Sequence, residues 1–189
     1  MSELKITFKL ADKDIRYLRR VLRQAASAAG QRTPDEVIRA GRQMAIQVRE
    51  AKPPQYVLDR VEKLETILST VEDKDWAPPQ SVRKKILTAL AYFSNPADLI
   101  PDRIPGLGFL DDAIMIELIS QDLRHEMHYY RQFASFRETA EQRPWTRSGK
   151  ASLERRLVEK RKELRAKIQA AKSRDAERAE SGSRGFFRW

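Results

Sequence analysis

Apolar positions recur at helical spacing along most of the chain, and breaks in that rhythm mark where each helix ends. From Asp12 onward, Ile15, Leu18, Leu22, Ala25 and Ala29 share one stripe, while Arg16, Arg19, Arg20 and Arg23 fall mainly outside it. Gly30 is expected to end this helix, because glycine accepts the left-handed conformation at little cost. Thr33-Pro34-Asp35-Glu36 predicts the next start, with Thr33 as N-cap, Pro34 at the first helical position and Glu36 completing a capping box. That helix should run to about Ala51 and stop before Pro53-Pro54. Val57, Val61, Leu64, Leu68 and Val71 then outline a third helix, broken by Trp76-Ala77-Pro78-Pro79. Val82, Ile86, Leu90 and Phe93 mark a fourth, with Arg83, Lys84 and Lys85 in its first turns. One stretch departs from the pattern. Leu4 to Leu10 alternates apolar and polar residues and predicts a short strand, which needs a second copy or an extended packing mode because one strand makes no sheet.

A fifth helix is expected to begin near Leu110 and continue to about Phe136. Gln142 to Gly149 reads as a linker, and Lys150 to about Glu180 as a charged helix. The apolar positions of that last helix, Leu153, Leu157, Leu164 and Ile168, are too sparse for a dimeric coiled coil. Glu154, Glu159 and Glu163 should support it through pairs with Lys and Arg one turn away. Ser181 to Trp189 is expected to be a flexible basic and aromatic tail. The fold class is therefore all-α, a helical bundle around a central helix–turn–helix hairpin, with a short N-terminal strand and a long charged C-terminal helix. The expected division is an amphipathic helical region over 1–75, the hairpin over 76–141, and linker, charged helix and tail over 142–189.

Charge changes this picture at both ends. Residues 1–53 carry twelve Lys/Arg against six Asp/Glu, residues 54–149 twelve against fifteen, and residues 150–189 thirteen against six. Basic ends flanking a slightly acidic centre suit an anionic partner: nucleic acid, an anionic membrane surface or an acidic protein face. The plainer account is that solvated helices carry charges. With no cysteine in the chain, disulfides, thiolate metal sites and a thiol nucleophile are excluded. Met1 to Lys5 leads into no apolar core of signal-peptide length, so the expectation is a cytoplasmic protein.

The hairpin turn, Asn95 to Asp112, holds the densest punctuation. Asn95-Pro96 stops and restarts the helix, and Asp98 lies where exposed amides of a short turn favour a carboxylate. Pro101 and Pro105 stiffen the path, Gly106 and Gly108 permit a tight bend, and Asp102 lies between the two prolines. Asp111 and Asp112 fall in the first turn of the next helix, favoured by its dipole. The run from Tyr92 to Asp112 closely resembles the signature of the YkvA-like family, also called the domain of unknown function DUF1232. Its pattern is an aromatic residue, then Pro96-x-Asp98-Leu99-Ile100-Pro101-Asp102, an apolar turn with Pro105 and Gly108, and Asp111-Asp112. The resemblance covers roughly Val82 to Leu123 and leaves both basic ends outside. It implies a helical hairpin and assigns no activity, though some relatives occur in membrane-associated contexts.

Asp98, Asp102, Asp111 and Asp112 are oxygen ligands of a kind that suits magnesium or calcium if the hairpin gathers them. Structure alone accounts for each of them, as helix-start anions and turn acceptors, and this is the favoured reading. His125 and His128 are three apart and would share one side of a helix, but no third ligand is evident. On a continuous helix His125 would lie roughly 20 Å from Asp112, too far for a shared metal. Leu123, Met127 and Tyr130 form a stripe widened by Tyr129, Phe133 and Phe136. Core packing is the ordinary reading of that stripe, and a peptide or lipid groove would need the same residues. Ile86–Phe93 is too short to span a bilayer, and Ala113–Ile119 is flanked by aspartates. At the C-terminus, Arg184, Phe186, Phe187, Arg188 and Trp189 suit either an anionic bilayer or single-stranded nucleic acid. The leading expectation is a non-enzymatic interaction or scaffold module with no cofactor and an unknown protein partner, peripheral at the inner membrane surface. Nucleic-acid binding by the basic ends and metal-dependent catalysis by the hairpin aspartates are the alternatives. Asp98, Asp102, Asp111, Asp112, Pro96, Pro101, Pro105 and Gly108 are the first positions to test.

Overall fold

The computed structural model of the protein describes residues 9–28, 32–94, 108–142 and 150–184. Among them the fold is all-α, with α1 (Asp12–Ala28), α2 (Pro34–Glu50), α3 (Gln55–Glu72), α4 (Gln80–Leu90), a 3-10 turn (Ala91–Ser94), α5 (Leu110–Asp122), α6 (Arg124–Glu141) and α7 (Lys150–Arg184). Lys9 and Leu10 adopt no regular structure, and the rest of the expected Leu4–Leu10 strand lies outside the described residues. So do Gly30, the 143–149 stretch of the expected linker, and residues 185–189 of the tail. The beginning of that tail, through Arg184, continues α7.

The capping box at α2 forms as its sequence predicts. Thr33 holds an extended conformation (φ -70°, ψ 155°) that lets its hydroxyl turn back onto the helix. The Thr33 Oγ1 accepts the Glu36 amide at 3.3 Å, and the Glu36 carboxylate accepts the Thr33 amide at 2.7 Å. Those bonds hold the Glu36 carboxyl below its ordinary value, led by the backbone bond from Thr33. Replacing Thr33 with alanine should cost about 1 kcal/mol and lower the thermal midpoint by roughly 2–4 °C. Thr33→Ser should restore most of it, and calorimetric scans of the three proteins check the ordering.

The chain forms two compact units. One comprises residues 1–65 and 81–119, the other 66–80 and 120–189, so α3 and α5 each supply residues to both. In the first unit, α1 places Ala25 in a core with Tyr92, Met115 and Leu118, and Ile15, Leu18, Val21, Leu22, Phe93 and Ile114 pack around it. The 3-10 turn is a shared anchor there, since both α1 and α2 pack on it. Tyr92 and Phe93 meet edge to face, 5.2 Å between ring centres. Outside this core, Glu117 of α5 takes Lys63 at 2.6 Å and Arg60 at 3.3 Å from α3, and Arg49 of α2 grips Glu65. These ion pairs are between about a third and under a half exposed and add little stability; they fix which helix faces meet.

In the second unit α6 packs along α7. Arg124 pairs with Asp175, Glu126 with Lys172, and Phe136 lies under Arg156 and Lys160. As numbers rise on α6 they fall on α7, so the two helices are antiparallel. The few apolar positions of the last helix, too sparse for a dimeric coiled coil, therefore pack within the chain itself. Leu157, Leu164, Ile168 and Ala171 are all buried, and Leu157, Leu164 and Ile168 share a core with Trp76, Tyr130 and Phe133. Pairing of Glu163 with Lys160 and Lys167 does occur on the solvent side.

The fifth predicted helix also needs correction. It is two helices, α5 and α6, separated at Leu123, whose backbone leaves helical geometry (φ -108°, ψ 10°). Neither proline nor glycine marks the break. Leu123 is itself buried, and its carbonyl still accepts the Met127 amide at 3.0 Å, so α6 restarts at once. It then continues to Glu141, five residues beyond the predicted end at Phe136.

Candidate functional site

Of the residues singled out in the hairpin turn, the described part contains Gly108, Asp111 and Asp112. Asp98, Asp102, Pro96, Pro101 and Pro105 lie outside it. Asp111 and Asp112 occupy the first turn of α5, where four amides have no helical acceptor and the dipole favours negative charge. Both are buried, at 4 % and 9 % exposure, which is unusual for carboxylates. Just before them Phe109 takes a positive φ of 64°, a strained choice for an aromatic residue. Its ring is buried and its carbonyl accepts the Ala113 amide at 2.9 Å, closing the first turn of α5. The bend expected of the glycines is thus taken in part by a phenylalanine held by its own burial.

The histidines do not converge. His125 Nε2 lies 2.6 Å from Asp175 Oδ2 on α7, and Arg124 binds the same carboxylate. His128 instead lies 2.8 Å from the Gln132 amide nitrogen and stands edge-on to Tyr129. The helix that carries them is not continuous with the one that begins at Leu110, since the helical run breaks at Leu123. Hydrogen bonds from His125 and Arg124 hold the Asp175 carboxyl below its ordinary value. Among the described residues no group of three or more His, Asp or Glu side chains is placed to hold a metal ion.

The densest polar constellation is one that the motifs did not indicate. Asp73 follows the end of α3, and its Oδ1 accepts the amides of Asp75 and Trp76, each at 2.9 Å, which folds the exit into an Asx-type turn. Arg137 of α6 closes on the same carboxylate at 2.8 Å and on Asp75 at 3.1 Å, and the Tyr130 hydroxyl donates to Asp73 Oδ2 at 3.2 Å. Burial by itself would raise the Asp73 pKa; the Trp76 amide and the Arg137 guanidinium outweigh it and hold the carboxyl low. Burial first, then the neighbouring Asp73 charge, push the Tyr130 phenol up to about 12.

Trp76 hangs from this turn into the core, fully buried, with Phe133 5.2 Å and Tyr130 5.9 Å from its ring. Its backbone is held from the other side. Arg165 of α7 lies over the indole ring at 5.9 Å, donates to the Trp76 carbonyl at 2.7 Å and also reaches the Ala77 carbonyl. Arg161 donates to the Asp75 carbonyl at 2.7 Å. Ala77 sits at a positive φ of 42° and turns the chain toward Pro78-Pro79. Three arginines from two helices thus clamp one short loop. A signal was present in the sequence: Asp73 and Asp75 precede a tryptophan two residues before a double proline, a place where a turn and a buried ring coincide. The arginine partners, 62 to 89 residues away, had none.

Residues 82–118 match the family described as "Protein of unknown function (DUF1232)". They form a DUF1232 segment. In this protein the DUF1232 segment takes in most of α4, the 3-10 turn and α5 through Leu118, so it contains every turn position singled out from the sequence. The chain is also 36 % identical over 63 residues to a protein of Bacillus subtilis (strain 168) named "Uncharacterized membrane protein YkvA". That match covers 30 % of this chain and 59 % of the relative, so the chain spans about three-fifths of the relative's length. No solved structure matches the chain. Among the described residues no helix is long and apolar enough to cross a membrane. The arginine clamp around Trp76 and both histidines fall outside the DUF1232 segment.

Proposed function

We propose that the protein is a non-enzymatic interaction or scaffold module that acts at the periphery of a membrane. The observation that carries this reading is the use made of the second unit's carboxylates. Asp73 meets Arg137 and two amides, Glu126 meets Lys172 at 2.7 Å, and Asp175 meets Arg124 and His125. Each holds one element to another, an arrangement that rigidifies a helical scaffold and leaves those groups occupied with partners of their own. The peripheral location draws support from the relative's name as a membrane protein, together with the basic N-terminal region. A cytoplasmic position against the inner membrane is the corresponding place in the cell.

Fractionation of cells producing the full chain tests the proposal. The protein should sediment with membranes at low salt and leave them at high salt without detergent, because screened charge is the expected tether. Full recovery in the supernatant at low salt, or release by detergent alone, would overturn it.

A further inference from the structure

The outward face of α1 carries four exposed cations at helical spacing: Lys13, Arg16, Arg20 and Arg23. At 3.6 residues per turn they fall within about a third of the helix circumference, along roughly 15 Å of its length. The opposite face, with Ile15, Leu18, Leu22 and Ala25, is committed to the core of the first unit. The helix is therefore fixed by its apolar side and displays its basic side. Among the described residues none of these four cations meets a carboxylate. The two acidic residues of α1 lie in its first turn, and Asp14 is engaged there by the Ala11 amide at 2.9 Å.

Tyr17 sits among these cations and is 53 % exposed, and Leu10, just ahead of the helix, is 42 % exposed. We propose that this face of α1 docks onto an anionic phospholipid bilayer, with Lys13, Arg16, Arg20 and Arg23 against headgroup phosphates and Tyr17 at the polar–apolar boundary. The inference deepens the peripheral-membrane reading and rests on it. Charge complementarity selects an anionic surface. The exposed tyrosine suits a bilayer, because a phenol ring gains from a boundary that is apolar on one side and wet on the other. The relative named a membrane protein favours lipid over nucleic acid.

Flotation of the full chain with vesicles tests it, using phosphatidylcholine alone and phosphatidylcholine with phosphatidylglycerol. The wild type should float with the anionic vesicles and not with the neutral ones. The double variant Arg16→Gln/Arg20→Gln should lose about thirtyfold in partitioning, from about 1 kcal/mol per surface cation. Arg155→Gln/Lys162→Gln removes the same charge from exposed positions of α7 and should change partitioning less than threefold. Helix content by circular dichroism checks that both variants fold. If the wild type floats and the two variants weaken equally, or the α1 variant keeps its binding, the membrane reading stands and the role of α1 is wrong. If the wild type floats with neither vesicle, both ideas fail together. Tighter binding of the wild type to a short DNA duplex or single-stranded RNA than to anionic vesicles, lost in the α1 variant, would replace lipid with nucleic acid as the occupant of this face.

Discussion

Replacing Trp76 with alanine is expected to lower the unfolding free energy by about 3–5 kcal/mol, the largest effect of any single substitution proposed for this protein. The ring is fully buried and contacts Phe133, Tyr130 and the Arg165 guanidinium, so its removal leaves a cavity lined by groups from α6 and α7. Neither helix is free to collapse into that space while Arg137 of α6 and Arg161 and Arg165 of α7 hold the same loop. Trp76→Phe should lose much less. It keeps an aromatic ring in place, and it removes the indole N–H, which is buried without a hydrogen-bond acceptor among the described residues. Urea unfolding followed by helix circular dichroism gives both numbers. A loss under about 1 kcal/mol for Trp76→Ala would show that the ring does not anchor this core.

Arg137→Met should cost about 2–3 kcal/mol, because it strips the charged partner from a carboxylate that remains buried. The pH dependence separates this from a simple packing loss. Asp73 lies below its ordinary value of 3.8 in the folded protein, so its contribution is present above that pH and fades as pH falls through the lowered folded value. Tyr130 is raised from 10 to about 12, so its contribution is present below pH 10 and fades as pH climbs toward 12. Wild-type stability should therefore decline at both extremes. Without Arg137, burial lifts the Asp73 carboxyl back toward or past its ordinary value, and the acid decline should become shallower. Urea midpoints from pH 2.5 to 7 for both proteins provide the check. Parallel acid slopes would mean that the amides of the turn alone set the state of Asp73.

Much of this architecture is legible in the chain because short-range rules dominate it. The stripe Val57, Val61, Leu64, Leu68, Val71 is buried throughout α3, as its spacing requires. Thr33 and Glu36 close a capping box that needs no tertiary partner. Asp111 and Asp112 fall in the first turn of α5 because the residues before them, and the dipole after them, already favour that placement. The DUF1232 segment was recognisable for a related reason: its prolines, glycines and aspartates stand at the spacing of a short sequence signature.

Other features had no local cause to read. The break at Leu123 lies in a sequence with no helix breaker, at a leucine that is itself buried. The last helix has too few apolar residues to predict a partner, yet Leu157, Leu164 and Ile168 suffice once Trp76 and Phe133 fill the space between them. His125 and His128 look like a pair at a spacing of three, but Asp175 and Gln132 draw them to different partners.

The sequence by itself determined most of the helices and the capping box of α2, since each depends on residues within one or two turns of one another. Tertiary structure alone decided which charges are working ties and which are left facing outward. Arg137, Arg161 and Arg165 are bound to a loop far away in the chain, whereas Lys13, Arg16, Arg20 and Arg23 remain exposed along α1. The reason is physical: a cation's role depends on the anion or carbonyl that folding brings within about 3 Å, and sequence spacing carries no record of that distance.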